Sequence, residues 1–269
     1  MSLHRYAIFV VLLAVAVMVT GAVITSADVA ARQTQTPAPV VSQNLHRTLS
    51  IGLTLFALAF AIWISRTGAQ AWLKVVAWSA IATLAVEALL GWQTPPATIA
   101  FLHASLAHVF FSLAVVSAVG TSASWGRPPE RVDGSSKPFL RPLAFAIPPV
   151  VFLQIMLGAA YRHNMTSVIP HIAVAMGVAF LALIGSSVVL QNFPRPAALR
   201  HAAVALISLV LTQVCLGIGA FVMLLLNSAG TFYFVGITVS HVLVGASTLA
   251  ASIVMAMQVR RSVDDGTEE

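Results

Sequence analysis

The stretch "LHRTLSIGLTLFALAFAIWIS" (residues 45–65) places a histidine and an arginine at the start of an otherwise apolar run. The run is roughly twenty residues long, the length that an α-helix needs to cross about 30 Å of hydrocarbon at about 1.5 Å per residue. Of the 269 residues, 59% are hydrophobic and only 8% are charged, which is too little polar surface to cover a soluble globule. The sequence therefore predicts an integral membrane protein.

Runs of similar length recur along the chain, and we predict eight transmembrane helices. They lie near residues 6–26, 45–65, 71–91, 98–120, 141–160, 169–190, 202–226 and 233–257. The first run follows Arg5 and resembles a signal peptide, but it is too long for the hydrophobic region of one, so we interpret it as a helix of the fold. The predicted fold class is all-α, a polytopic membrane protein built as two tandem four-helix bundles.

The basic residues are distributed unevenly along the chain. A net charge of +6 would suggest nucleic acid as a partner of a soluble protein. If the N-terminus is cytoplasmic, however, the outer segments hold only Arg32, Arg47 and Arg162, and the other basic residues lie inside. Because cytoplasmic loops are enriched in Lys and Arg, we predict that both termini are cytoplasmic. The predicted location is the bacterial cytoplasmic membrane, which the chain crosses as a multi-pass protein. Its surroundings are then the lipid bilayer, with no role for nucleic acid.

The longest connection, "TSASWGRPPERVDGSSKP" (121–138), is rich in Pro, Gly, Ser and charge, and we interpret it as a cytoplasmic linker. It separates an N-terminal half (1–120) from a C-terminal half (139–260), and residues 261–269 are predicted to be a disordered acidic tail. The single cysteine, Cys215, excludes an intrachain disulfide and a thiolate metal cluster.

A short pattern recurs near the outer end of each odd-numbered helix. Its copies are "VMVTG" (17–21), "EALLG" (87–91), "QIMLG" (154–158) and "QVCLG" (213–217). Each copy is followed by a histidine in the next helix, namely His46, His103, His171 and His241. Because four helices per half is an even number, we predict that a pseudo-two-fold axis along the membrane normal relates the halves. The glycines by themselves are typical of close helix packing.

The four histidines on the even-numbered helices are the candidate metal ligands. An ionisable side chain is costly to bury in a membrane, so its presence there indicates a function. Histidines on facing helices of a bundle can ligate a haem iron axially. Pairing within each half gives His46 with His103 and His171 with His241, which predicts two haem sites near the outer face. Zinc is the alternative metal, but a catalytic zinc site usually has three convergent ligands and often a nearby carboxylate. The predicted spans contain a single acid, Glu87, which argues against zinc.

Two histidines and two arginines outside the proposed pairs also need an interpretation. His108 follows His103 by five positions, which is about 140° around a helix, so we predict a hydrogen-bonded packing residue. His163 lies in an outer loop, either on the surface or at the mouth of a site. Arg47 and Arg162 are placed where a guanidinium can bind haem propionates, and a simple interfacial anchor is the alternative for Arg47.

The motifs "HRTLSIGL" (46–53), "HASLAHVFF" (103–111), "QIMLGAAYRH" (154–163), "IPHIAVAMG" (169–177), "QVCLG" (213–217) and "SHVLVGA" (240–246) resemble the haem A synthase family of cytochrome oxidase assembly, over nearly the whole chain. The resemblance implies a haem b cofactor in the C-terminal half, on His171 and His241. It implies haem O as substrate in the N-terminal half, on His46 and His103, with a ring methyl oxidised to the formyl group of haem A. Candidate partners are an electron donor of unidentified class, haem O synthase, other oxidase assembly factors and a second copy of the chain.

The chain departs from the family pattern at three places. Gln43 stands where family members have a glutamate, the outer-loop cysteine pair is absent, and Ile172 stands where an arginine is common. An amide cannot exchange a proton as a carboxylate does. We hypothesise that Glu87, which occupies the slot of Gln154 and Gln213 in other copies of the pattern, replaces that carboxylate as a proton shuttle, with a packing role as the alternative.

Three other functions can be weighed against this one. A non-catalytic haem-binding assembly factor or haem carrier needs the pockets but no carboxylate, and Gln43 keeps this alternative open. An electron conduit of the b-type cytochrome kind usually stacks haems in both leaflets, whereas the four histidines are predicted at one side. A solute transporter is expected to have helices that are broken near the midplane. No predicted helix has such a break, and we interpret the nearest candidate, "IPPV" (147–150), as a kink in the fifth helix.

Overall fold

The computed structural model describes residues 2–34, 43–91, 96–226, 228 and 231–264. Eight helices in this part of the chain are long and apolar enough to cross a membrane, as predicted. They are α1 (Leu3–Thr34), α2 (Gln43–Ser65), α3 (Ala71–Leu90), α4 (Ala97–Gly120), α6 (Leu140–Arg162), α7 (Ile169–Asn192), α8 (Ala197–Leu225) and α9 (Phe232–Ser262), with a short α5 (Ala123–Gly126) after α4. The chain is therefore an all-α, multi-pass membrane protein.

Helices α1 and α9 both continue several residues past the C-terminal ends of the apolar runs that predicted them. Helix α1 continues beyond residue 26, and the extra turns bury Ala27 and Ala31, while Val29 packs against Phe234 at the start of α9. Helix α9 continues to Ser262 because its last turns, including the fully buried Val259, still pack against the C-terminal core. Packing against neighbouring helices extends both elements beyond the hydrophobic length that a bilayer alone requires.

The long helices form two closed groups. Within α1–α4 each helix contacts the next and α4 returns to α1, and α6–α9 close in the same way. The groups meet mainly where α9 packs against α1 and α4. There are two apolar cores, one rich in alanine in the N-terminal half and one rich in leucine and valine in the C-terminal half, and Ala246 and Ala250 of α9 belong to the first. Each half is thus a four-helix bundle, and their relation by a pseudo-two-fold axis remains a prediction.

The end of the molecule where α1 begins and α9 ends is called the linker end. Here strand β1 (Val132–Asp133) pairs in parallel with β2 (Val263–Asp264), which follows α9 directly. The Arg261 guanidinium lies 4.4 Å from the centre of the Trp125 ring and donates to the backbone carbonyl of Arg127. The connection between the halves is therefore ordered and packed against the end of α9.

These contacts bear on the predicted domain limits. The segment 121–138, predicted as a linker, contains α5 and β1. Of the segment 261–269, predicted as a disordered tail, residues 261–264 belong to α9 and β2, and residues 265–269 lie outside the described part of the chain. Pairing with β1 is what gives residues 263–264 a regular conformation.

Candidate functional site

Four histidines lie at the opposite end of the bundles, which we call the histidine end. His46 is on α2 and His103 on α4, and their ring centroids are 6.4 Å apart with an interplanar angle of 79°. His171 is on α7 and His241 on α9, and their centroids are 6.1 Å apart with an angle of 76°. The structure thus brings these histidines together as two pairs of closely similar geometry, one in each bundle.

The separation of the rings suits a metal ion held between two imidazoles. A coordinating nitrogen lies about 2.0–2.1 Å from the metal and the ring centre about 1.1 Å behind it, so two opposed rings have centroids about 6.3 Å apart. Among the described residues, no group of three or more His, Cys, Asp or Glu side chains could hold a metal ion. Each site thus offers two imidazoles, which is the number of axial ligands that a haem iron can take from a protein.

A glycine lies behind each of the four rings. A Cβ atom added to Gly21, Gly91, Gly158 or Gly217 would stand only 2.9–3.1 Å from Cε1 of the neighbouring histidine. By contrast, a Cβ atom added to Gly52 on α2 or Gly177 on α7 would meet nothing within 4 Å. The recurring glycines therefore do more than let helices approach each other, because they leave the space that each imidazole occupies.

The residue four positions before each glycine also contributes to the site. In three copies its backbone carbonyl lies 3.2 Å from Nδ1 of the histidine: Val17 with His46, Glu87 with His103, and Gln154 with His171. A ring that donates from Nδ1 has an unprotonated Nε2, and such contacts orient histidines that bind metals. Backbone carbonyls on α1, α3 and α6 thus lie where they can accept a hydrogen bond from Nδ1 of three rings, the arrangement that leaves Nε2 free to bind a metal.

Side chains also contact two of these rings. The Thr20 hydroxyl lies 2.9 Å from Nδ1 of His46. The Gln154 amide nitrogen lies 2.9 Å from Nδ1 of His171 and donates to the His171 backbone carbonyl at 2.8 Å. Sequence analysis missed Thr20, although its place directly before Gly21 in "VMVTG" was a usable signal.

Glu87 is buried, and it contacts a histidine. Its Oε2 atom lies 2.6 Å from Nδ1 of His103, so the carboxyl group supports that ring from behind. Glu87 was expected to replace a carboxylate that is missing at position 43. Gln43 itself is exposed at the start of α2. The structure thus assigns Glu87 a hydrogen-bonding partner on the site itself, and its proton-shuttle role stays a hypothesis.

Buried polar side-chain atoms in folded proteins nearly always have hydrogen-bond partners. In the described part of the chain, four such atoms lack one: Oε1 of Glu87, Gln154 and Gln213, and Nδ1 of His241. Gln213 contacts the other ring nitrogen of His241, with its amide nitrogen 3.2 Å from Nε2. All four atoms belong to the two histidine clusters. The donor set, the ring separation and these unpaired atoms together fit a metal-containing group at each cluster.

The two arginines expected near the propionates occupy different environments. Arg47 is exposed on α2, next to His46. Arg162, in the last turn of α6, donates from Nη2 to the Ala22 carbonyl at 3.3 Å and to the Ser26 hydroxyl at 3.0 Å, both on α1. Arg162 therefore joins the two halves, a contact that sequence analysis did not predict.

His108 and His163 lie outside the two histidine pairs. His108 is buried, and its Nδ1 lies 2.7 Å from the Ala104 carbonyl one turn earlier in α4, as a hydrogen-bonded packing residue would be. His163 follows the last residue of α6, and its backbone N–H donates to the Ala159 carbonyl, closing that helix. Neither contact includes a member of the histidine pairs.

No protein-family model matches the chain, and no curated protein matches it either. The fold and the site together define a multi-pass membrane protein with two supported histidine pairs at one end of its bundles.

Proposed function

We propose that this chain is a membrane haem oxidoreductase of the haem A synthase type. It binds two haems, one between each histidine pair, and oxidises a methyl group of haem O to the formyl group of haem A. The observation that carries the proposal is the matched geometry of the pairs, with centroids 6.4 Å and 6.1 Å apart and a glycine behind every ring. The protein lies in the bacterial cytoplasmic membrane, with its histidine end facing outward.

Each half has its own task in this proposal. His46 and His103 hold and orient haem O as substrate, and His171 and His241 hold haem b, which relays electrons from a donor yet to be identified. When bound, the iron porphyrins supply the oxidative and electron-transfer chemistry. The chain contributes ligation, the apolar walls that exclude water, and positive charge near the propionates from Arg47 and Arg162.

The test is to co-express the chain with a source of haem O and identify the extracted haems by chromatography. We expect haem A from the natural chain and two haems per purified polypeptide. The double variants His46→Ala/His103→Ala and His171→Ala/His241→Ala should each lose one haem. His201→Ala, at an exposed position in the first turn of α8, is the matched control and should lose none. A colourless protein, or unchanged absorption bands in both double variants, would contradict the proposal.

The second candidate is a haem-binding assembly factor or haem carrier. It is favoured by Gln43, which leaves an amide where family members have a carboxylate. The same extraction separates the two functions. Haem A in the extract supports the enzyme, whereas two bound haems of unaltered chemistry support the carrier.

A further inference from the structure

The two histidine clusters differ in one chemical respect. The residue four positions before the glycine is Val17 on α1, Glu87 on α3, Gln154 on α6 and Gln213 on α8. Three of these residues carry a neutral side chain. Only the N-terminal cluster therefore has an acid behind a ligand, and the equivalent helix of the C-terminal half has an amide.

The contact between Glu87 and His103 is short. The Oε2–Nδ1 distance is 2.6 Å, and the Glu87 carbonyl is a second neighbour of the same nitrogen at 3.2 Å. When Nε2 binds a metal, Nδ1 carries the proton and donates it in a hydrogen bond to the carboxylate. Such charge-assisted bonds are roughly twice as strong as neutral ones, and they raise the basicity of the ligating imidazole.

The Gln213 side chain provides no equivalent support for His241. Its amide nitrogen approaches Nε2 at 3.2 Å, and the Nδ1 atom of His241 has no partner within the described part of the chain. An amide is neutral, so it cannot give the imidazole the electron density that a carboxylate gives. Gln154 is also neutral, so neither ligand of the C-terminal pair has a carboxylate partner.

We infer that Glu87 is a positioning residue that makes His103 a strong electron donor, so that the haem of the N-terminal site has a lower reduction potential than the haem of the C-terminal site. The inference rests on the proposed haem binding and deepens it. Hydrogen bonds to the ligating side chains and the basicity of those ligands are among the means by which a protein tunes the reduction potential of a haem. A more electron-rich metal suits oxidative chemistry, and a pair without such a partner suits electron relay.

Charge compensation points the same way. A buried carboxylate is costly unless a positive charge lies nearby. An iron bound by Nε2 of His103 would supply that charge, so the metal and the carboxylate would stabilise each other through the imidazole. Removing the Glu87 charge should therefore weaken haem binding at the N-terminal site and leave the C-terminal site intact.

The experiment uses the full chain in detergent, loaded with iron protoporphyrin IX, and two reciprocal variants. Spectroelectrochemical titration gives the midpoint potential of each haem, and the two double-alanine variants of the histidine pairs assign each potential to a half. Glu87→Gln should raise the potential of the N-terminal haem, leave the other unchanged, and weaken N-terminal haem binding by about 10- to 100-fold. Gln213→Glu should lower the potential of the C-terminal haem.

Electron paramagnetic resonance of the oxidised protein gives an independent signature, since ligand donor strength alters the low-spin ferric signal. Unchanged potentials and spectra in both variants, with two haems still bound, would overturn the inference and leave haem binding standing. If Glu87→Gln fails to fold, Gln213→Glu still decides, because an unaltered C-terminal potential would overturn the inference. Shifted potentials without haem A production would instead reject the proposed oxidation and keep the role of Glu87.

Discussion

Arg162, in the last turn of α6, donates a hydrogen bond to the hydroxyl of Ser26 on α1 at 3.0 Å, across the boundary between the two bundles. Ser26 is buried and receives a second hydrogen bond, from the Thr238 hydroxyl of α9 at 2.9 Å. Three helices from both halves thus meet in one polar junction, which lies close in sequence to Gly21 and to His241. The halves are joined by specific hydrogen bonds as well as by apolar packing.

Arg162→Ala should destabilise the protein by about 1.5–3 kcal/mol, because hydrogen bonds from a charged donor typically contribute that much. Thermal unfolding in detergent, compared with the natural chain, measures the change. The matched control is Arg131→Ala, at an exposed position of the linker end, which should leave the midpoint unchanged. In a double-mutant cycle, the effects of Arg162→Ala and Ser26→Ala should be less than additive, and full additivity would argue against the junction.

Gly158→Ala should displace the His171 ring, because the new Cβ atom would lie 2.9 Å from its Cε1. We expect reduced haem occupancy in the C-terminal half, measured from the absorption bands of the purified protein. Gly177→Ala on α7 is the control, since its Cβ meets nothing within 4 Å, and it should be neutral or stabilise by about 0.4–1 kcal/mol. Equal occupancy in the two variants would show that the glycine does not make room for the ring.

His108→Ala should lower stability but keep both haems. The side chain is buried and its Nδ1 bonds within its own helix, so truncation removes packing and a hydrogen bond worth about 0.5–1.5 kcal/mol. Absorption spectra and thermal unfolding should be measured on the same sample, with His103→Ala as the comparison that loses the N-terminal haem. A folded His108→Ala protein that had lost a haem would make His108 part of a site.

Arg261→Ala should expose the connection between the halves to protease. The variant loses the contact with the Trp125 ring, worth about 0.5–1 kcal/mol at an exposed site, and the bond to the Arg127 carbonyl. Trypsin cleavage in the segment 121–138 should therefore speed up roughly fivefold, followed by gel electrophoresis over time. Arg260→Ala, at an exposed neighbouring position, is the control. Identical cleavage of both variants would contradict the packing role of Arg261.

The helices were predictable from sequence, but not all of their ends were. Apolar runs long enough for a bilayer identify eight spans because backbone polar groups in lipid must be satisfied within a helix. The last turns of α1 instead bury Ala27 and Ala31 in the folded chain, and no local hydrophobicity signals that burial.

The candidate site was predictable to a similar degree. The repeated glycine pattern indicated the four histidines, because the spacing between each glycine and the following histidine can be counted along the sequence. The reason for the glycines, the contact between Glu87 and His103, and the reach of Arg162 into the other half depend on which faces of separate helices meet. Those faces are set by tertiary packing, which a single sequence does not encode in any local pattern.

The pairing of β1 with β2 has a consequence for biosynthesis. The ribosome makes residues 132–133 before any of the last four membrane spans, and residues 263–264 only after all of them. Strand β1 therefore stays unpaired while the second half of the protein is being inserted. Strand β2 is made only after α9, so this small sheet can form only when α6–α9 have all been synthesised.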